Sequence, residues 1–113
     1  MKELTLTFNN TSSALRTLAA QSIIDRARGL MFLKSTDKAL LLLPCNSIHT
    51  FFMRFPIDAL FVDRNNRIVQ IIRDIKPFRI ILPVFKASKV LEIPCGLLDS
   101  SDLRPGDLLH LPR

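Results

Sequence analysis

The sequence predicts a mainly β protein, a small single-domain barrel or sandwich-like fold carrying one short α-helix. Three observations lead there. Apolar runs of strand length recur along the chain, they are rich in leucine and β-branched residues, and Pro, Gly, Asn and Asp bound them. A chain of 113 residues can bury enough surface for one core and too little for two, so residues 1–113 are expected to form one domain.

Leu4–Phe8 alternates polar and apolar residues as a half-buried strand does, Asn9 and Asn10 supply a turn, and Ala14–Ala20 returns as the second strand of a hairpin. Ser22 followed by Asp25 forms a capping pair. Ile23, Ala27, Leu30 and Met31 then recur at helical spacing, which predicts a short amphipathic helix with Gly29 near its end. Further strands are expected at Ala39–Leu43, Ile57–Asp63, Arg67–Ile75, Ile80–Leu82, Val90–Ile93 and Leu108–Leu111.

Three connections have a residue-level cause. Arg64-Asn65-Asn66-Arg67 joins two strands, and asparagine tolerates the left-handed backbone of a tight hairpin. Arg104-Pro105-Gly106-Asp107 suits a type II turn, with proline fixing the first central φ and glycine allowing a positive second one. Phe55-Pro56 separates the His49 segment from the Asp58 segment, because proline breaks helix and central-strand geometry.

Composition narrows the class. The longest apolar runs, such as Ala39–Leu43, fall far short of a membrane span, and MKELTLTFNN has no continuous apolar region leading to a small-residue cleavage site. The expectation is a cytoplasmic protein with no membrane partner. Cys45 and Cys95 give no disulfide framework, and both follow a proline at the end of an apolar run. They read as inert thiols, and only their proximity in space would raise a metal site.

The segment NSIHTFFMRFPIDALFVD, Asn46–Asp63, sets His49, Asp58 and Asp63 inside an otherwise apolar, strand-like run. A buried carboxylate costs several kcal/mol unless paired or hydrogen-bonded, so the run marks either a structural network or a site. In a strand from Ile57 to Asp63, Asp58 shares a face with Leu60 and Val62, whereas Ile57, Ala59 and Phe61 occupy the other. Both faces are apolar, which predicts a central strand.

Arg28-Gly29-Leu30-Met31, HTFFMRFPIDALFVD at His49–Asp63, VLEIPCG at Val90–Gly96 and PGD at Pro105–Asp107 occur in that order and at these intervals. Together they resemble the domain-of-unknown-function family 192 over nearly the whole chain. The resemblance implies a small β-rich fold with one short helix. It implies no catalytic residue, and a fold alone would not supply one. This chain departs from the pattern at its hairpin, where Asn65-Asn66 stands in place of the Asp-Gly that members often have.

The chemistry is therefore weighed on the residues. A cluster of Arg28 with Asp58 or Glu92 would tie helix to sheet as a buried ion pair, in which case Asp58→Ala would cost about 3 to 5 kcal/mol. Cys45 and His49, four apart in extended chain, would stand about 13 Å from each other and cannot act as a thiol and its base. A zinc set of Cys45, His49, Cys95 and Asp58, or a divalent-metal set of Asp58, Asp63 and Glu92, uses suitable donors but has no recognised chelating spacing. No Walker loop, dinucleotide fingerprint or nucleophile elbow is present, and no cofactor or resident metal is expected.

Charge is the remaining signal. The net charge is +6, and the stretch from Arg64 to Lys89 holds seven basic residues against one acid, Asp74, so the excess is local. Phe78 and Phe85 lie within it and could stack on a planar anion. The sequence thus points to a small binding or accessory module for an anionic partner, a ligand, an acidic protein or a nucleic acid, through Arg28, Arg67, Arg73, Lys76, Arg79, Lys86 and Lys89. Nucleic acid is permitted without being indicated, because no recognisable module accompanies the pI near 10.0. The alternative is a metal-assisted hydrolase using His49, Asp58 and Glu92. A third possibility is a purely structural interaction subunit, which an exposed apolar patch of several hundred Å² would mark.

Overall fold

Two strands run through the middle of this protein with every residue buried, β5 (Ile57–Val62) and β8 (Lys89–Pro94), and they pair antiparallel without interruption from Ile57↔Pro94 to Val62↔Lys89. The computed structural model describes residues 1–9, 11–98 and 102–112, with the backbone alone at 11–13. Around the central pair lie β1 (Lys2–Phe8), β2 (Thr11–Ala20), β3 (Ala39–Leu42), β6 (Ile68–Ile75) and β9 (Leu109–His110), in the order β6-β5-β8-β3-β2-β1-β9. A separate two-stranded ribbon joins β4 (Ile48–His49) to β7 (Ile80–Ile81), and the helix α1 spans Ile23–Arg28.

The large sheet curls until its edges meet at one end. Arg67 forms an isolated antiparallel bridge with Leu108, and Leu109 N–H donates to Asn66 O at 2.7 Å while Ile68 N–H donates to Asp107 O at 2.9 Å. The result is a mainly β, incompletely closed barrel with one short helix, as the spacing of the apolar runs predicts. Its interior holds Leu6, Leu15, Leu41, Leu60, Val62, Leu91, Ile93, Leu103 and Leu109. A second apolar cluster, with Leu40, Leu42, Ile57, Ala59, Phe61 and Val90, lies on the opposite face of the same strands. Ile48, Met53 and Leu30 cover it from the ribbon and the loop after the helix.

The turns form for the expected reasons. Asp107 N–H donates to Arg104 O at 3.1 Å across Pro105-Gly106, and Gly106 takes φ +97°. Asn66 sits at φ +63°, and the Asp63 carboxylate accepts from Asn65 N and Arg67 N, which fixes the hairpin between β5 and β6. β2 begins at Thr11 rather than Ala14 because Phe8 on β1 pairs with Thr11; Asn10, the second residue of the expected turn, lies outside the described residues.

The helix departs from the expected amphipathic pattern. Ser22 caps it, its Oγ accepting from Asp25 N at 3.0 Å, but none of its residues is buried, and Ile23 and Ala27 face solvent. Gly29, at φ +52°, ends the helix before a second turn can form, so Leu30 packs from the loop instead.

Asp58 is buried, as predicted, but Arg28 is not its partner. β6 carries one extra residue opposite it, since Ile57 pairs with Ile75 while Ala59 pairs with Ile72. Within this bulge Asp74 adopts φ +55°, and its N–H, with no ladder partner, donates to Asp58 Oδ1 at 2.9 Å. The same oxygen lies 3.5 Å from the Cys95 thiol. Asp58→Ala should therefore destabilise by at least about 1 to 3 kcal/mol from the stranded Asp74 amide alone, and Asp58→Asn, which keeps an acceptor there, by clearly less. Thermal melts of the two variants check this, and equal losses would remove the bulge-capping role.

Candidate functional site

The register of β5 against β8 decides which predicted residues meet. Asp58 faces Ile93 and Ala59 faces Glu92 across the ladder, so Asp58 points into the barrel and Glu92 to the opposite face. His49, Asp58 and Glu92 therefore form no common site, and neither do Asp58, Asp63 and Glu92. Of the zinc donors weighed, only Cys95 and Asp58 touch, and no three of them gather among the described residues. Cys45 N–H bonds Ser88 O just before β8, whereas Cys95 follows its end, which leaves roughly 20 Å of strand between them at about 3.3 Å per residue. This corrects the hydrolase alternative at the level of geometry.

His49 and Glu92 do come together, around a small cavity of about 50 Å³ that Arg26, Arg28, Gly29, Ser47 and Met53 also line. Phe51 N–H donates to His49 Nδ1 at 3.2 Å, so the ring proton sits on Nε2 and is directed at Ala27 O, also at 3.2 Å. The imidazole thereby pins the end of the helix to the ribbon and has no nitrogen left for a ligand. Glu92 is 2% exposed, and its Oε1 has no hydrogen-bond partner among the described residues. Burial alone pushes its carboxyl up to about 8. Gly29 lies against it: a Cβ there would stand 3.5 Å from Glu92 Oε1, an ordinary van der Waals contact.

A larger concavity lies alongside, an open groove of about 670 Å³ between the β5–β6 turn and the loops flanking the ribbon. Arg26, Arg64 and Lys86 line it, with Asp63 as its acid and the ring of Phe85 exposed at its side. Asp63 spends its Oδ1 on two backbone amides of the turn. Arg26 is held in place by Pro44 O at 2.8 Å, while Arg64 and Lys86 make no hydrogen bond or ion pair with the described residues. Cys45 also lines the groove, but its thiol donates to Ser47 O at 3.0 Å and burial pushes its pKa up, so it is no nucleophile.

Four of the other five basic residues of the Arg64–Lys89 stretch have structural tasks, while Arg79 is exposed and its guanidinium donates to Pro77 O at 3.3 Å. Arg67 donates to Gly106 O and Arg73 to Leu103 O, both reinforcing barrel closure, and Lys76 pairs with Asp74 at 2.9 Å. Lys89 is buried; its ammonium grips Asn66 Oδ1 at 2.6 Å and Asp63 O at 3.1 Å, and burial draws its pKa down. Arg28 is exposed beside the Glu92 cavity without an ion pair to it.

Sequence reasoning does not single out Arg26, which reaches the groove from the helix, or Thr50. Thr50 is fully buried and organises the ribbon: its hydroxyl donates to Lys76 O at 2.7 Å and accepts from Arg79 N at 2.8 Å, while its carbonyl accepts from Phe78 N at 2.9 Å. Its signal in the sequence is a single polar residue between His49 and two phenylalanines, which has no periodicity to identify it.

Two outcomes follow from these environments. Because folding raises the Glu92 pKa from 4.5 to about 8, the unfolded chain loses this proton first, and stability falls as pH rises through that window. Glu92→Gln should flatten that slope and leave the protein roughly 3 to 5 kcal/mol more stable than the parent above pH 8, at 1.36 kcal/mol per unit. Denaturant unfolding of both proteins between pH 5 and 9 measures it, and identical slopes would contradict the assignment. Thr50→Val, which strands the Arg79 amide and the Lys76 carbonyl, should cost about 1 to 3 kcal/mol in the same measurement, against no change if water replaces the hydroxyl freely.

Comparison with known proteins agrees with the architecture. The chain is 41% identical over 93 residues to a UPF0127 protein of Pyrococcus horikoshii, a match spanning 78% of this chain and 80% of that one. In three Thermococcus relatives the matched region takes in 60 to 63% of the longer protein. A crystal structure of a protein of unknown function from Novosphingobium aromaticivorans superposes with TM-score 0.81 at 23% identity, covering 96% of this chain and 83% of that one. One from Sinorhizobium meliloti 1021, named "putative transcription regulator", superposes with TM-score 0.84 at 20% identity over 97% and 94%. At these identities the two structures share the fold. The sequence profile of DUF192, described as "Uncharacterized ACR", matches residues 4–111, and this chain belongs to that family.

Proposed function

We propose that this protein is a binding module for a small anionic ligand held in the groove of Arg26, Arg64 and Lys86. The observation that supports it is the imbalance of that groove. Three cations line it, two of them without a partner among the described residues, and its one carboxylate gives an oxygen to the turn that carries it. Its volume of about 670 Å³ lies within the roughly 300 to 1,000 Å³ of small-ligand sites. Phe85, 87% exposed beside Lys86, offers a ring face to a planar part of the ligand.

This reading keeps Lys86 from the sequence-derived set and adds Arg26 and Arg64. Arg28, Arg67, Arg73, Lys76, Arg79 and Lys89 contribute through the field of a chain whose net charge is +6, which draws anions toward the groove. The short, bounded shape favours a small ligand over a nucleic acid, whose backbone needs a continuous track. The module works in the cytoplasm on this reading, where Cys45 and Cys95 stay as thiols. No helix is long and apolar enough to cross a membrane among the described residues.

Titration calorimetry with pyrophosphate and with ADP at low ionic strength tests it. Saturable binding that weakens as salt rises is expected, together with at least a tenfold loss in Arg64→Glu/Lys86→Glu at unchanged melting temperature, since both side chains are exposed. Absence of binding by both probes, or equal binding by the double variant, sinks the proposal.

A further inference from the structure

The loops around the β4–β7 ribbon build an exposed aromatic cluster from three distant segments. Phe32 stacks on Phe52 with ring centroids 5.4 Å apart, Phe52 meets Phe78 edge-on at 5.5 Å, and Phe51 links Phe78 to His49. Phe32, Phe52 and Phe78 are between 51% and 64% exposed. All three hold left-handed backbone, at φ +67°, +60° and +63°. For bulky residues that conformation is disfavoured by about 1 to 2 kcal/mol each, so the fold sustains a cost to turn these rings outward. Hydrogen bonds keep them there: Phe32 N–H donates to Phe52 O and Phe78 N–H to Thr50 O, both at 2.9 Å.

Next to the cluster runs an open strand edge. Among the described residues β7 pairs with β4 alone, and because Thr50 N–H bonds Arg79 O, the alternation of an antiparallel ladder leaves the N–H and C=O of Ile80 pointing away from β4. The side chains of Ile80 and Leu82 are 64% and 77% exposed, and together with Phe51 and Pro83 they line an apolar groove of about 330 Å³. An apolar edge of this kind is a template for a further strand.

The charges around the patch select what can occupy it. Each exposed phenylalanine is followed within two residues by a cation: Lys34, Arg54 and Arg79. All three cations are exposed, and none meets an acid among the described residues, where Asp37 and Asp74 are already paired with Arg16 and Lys76. A second copy of a chain carrying +6 would be repelled. A nucleic acid would find rings packed against one another rather than splayed for bases, and would leave the Ile80 main chain unmatched.

We infer that the Phe32–Phe52–Phe78 cluster and the open edge of β7 form a docking surface for an acidic polypeptide segment that binds extended along Ile80, setting alternate apolar side chains into the groove. This surface is distinct from the anion groove and does not depend on it.

The test uses the full chain and a fluorescein-labelled ten-residue peptide alternating Glu with Ile or Val, followed by anisotropy at low ionic strength. The expected result is saturable binding, at least tenfold weaker for the matching peptide with Lys in place of Glu. Arg54→Glu/Arg79→Glu should lower affinity at least tenfold, and so should Ile80→Pro, which removes the outward amide without touching the ladder to β4. Lys34→Glu, at an exposed site, provides a third variant should Ile80→Pro fail to fold. Arg64→Glu/Lys86→Glu should bind the peptide within twofold of the parent, which separates this surface from the groove. The inference is overturned if the acidic peptide does not bind, if the basic peptide binds as well, or if the folded variants bind like the parent. It is likewise overturned if sedimentation shows a dimer that Ile80→Pro abolishes, or if phosphatidylserine vesicles or a poly-dT oligonucleotide are bound through Arg54 and Arg79 while the peptide is not.

Discussion

The unbroken pairing of β5 with β8 is the constraint on which the rest of this molecule depends. It buries both strands on both faces and sorts their side chains into two apolar clusters, one inside the barrel and one beneath the ribbon. Because strand side chains alternate with period two, a slip of one residue would exchange the two sets and send Glu92 into the barrel. The flanking strands β3 and β6 take their register from this pair, and the β6 edge then meets β9 near Arg67 and Leu108 to close the sheet at that end.

Buried polar groups are handled differently according to what that register offers them. Asp58 finds a bulge whose displaced amide needs an acceptor, Lys89 finds the open oxygens of the Asp63–Asn66 turn, and Thr50 finds both a carbonyl and an amide of the segment between β6 and β7. Glu92 finds space without a donor. Desolvation then favours its neutral form, and the protein carries a titration near neutrality in the middle of its second apolar cluster. Gly29 lies beside it and, at φ +52°, stops the helix.

The surface divides along the ribbon. On one side the groove collects Arg26 from the helix, Arg64 from the β5–β6 turn and Lys86 from the loop after β7. On the other, three phenylalanines held in left-handed backbone stand beside the open edge of β7. Both surfaces are basic, yet they differ in kind: the first is a concave pocket with a single exposed ring, the second an aromatic and main-chain surface with cations around it. Family membership covers residues 4–111, so both surfaces are carried by the domain itself.

What the sequence determined by itself is what depends on neighbours along the chain. Alternation in LTLTF marked β1, apolar residues on both faces marked Ile57–Val62 as central, and Pro105-Gly106 and Asn65-Asn66 specified their turns through φ preferences that hold without any long-range contact. Even so, local spacing overstated the helix, because Ile23 and Ala27 bury only if another element comes to cover them, and none does among the described residues. The tertiary structure alone decided which charges are free. Lys89 and Arg64 are alike in sequence, and only the β8 register, which sets Lys89 against Asn66, makes one a buried tether and leaves the other open to solvent. It alone set Asp58 and Glu92 on opposite faces and gathered Phe32, Phe52 and Phe78 from segments far apart in the chain. Propensity and periodicity act over a few residues, whereas register and closure join positions tens of residues apart, and every role assigned here to a charge or a ring depends on the second.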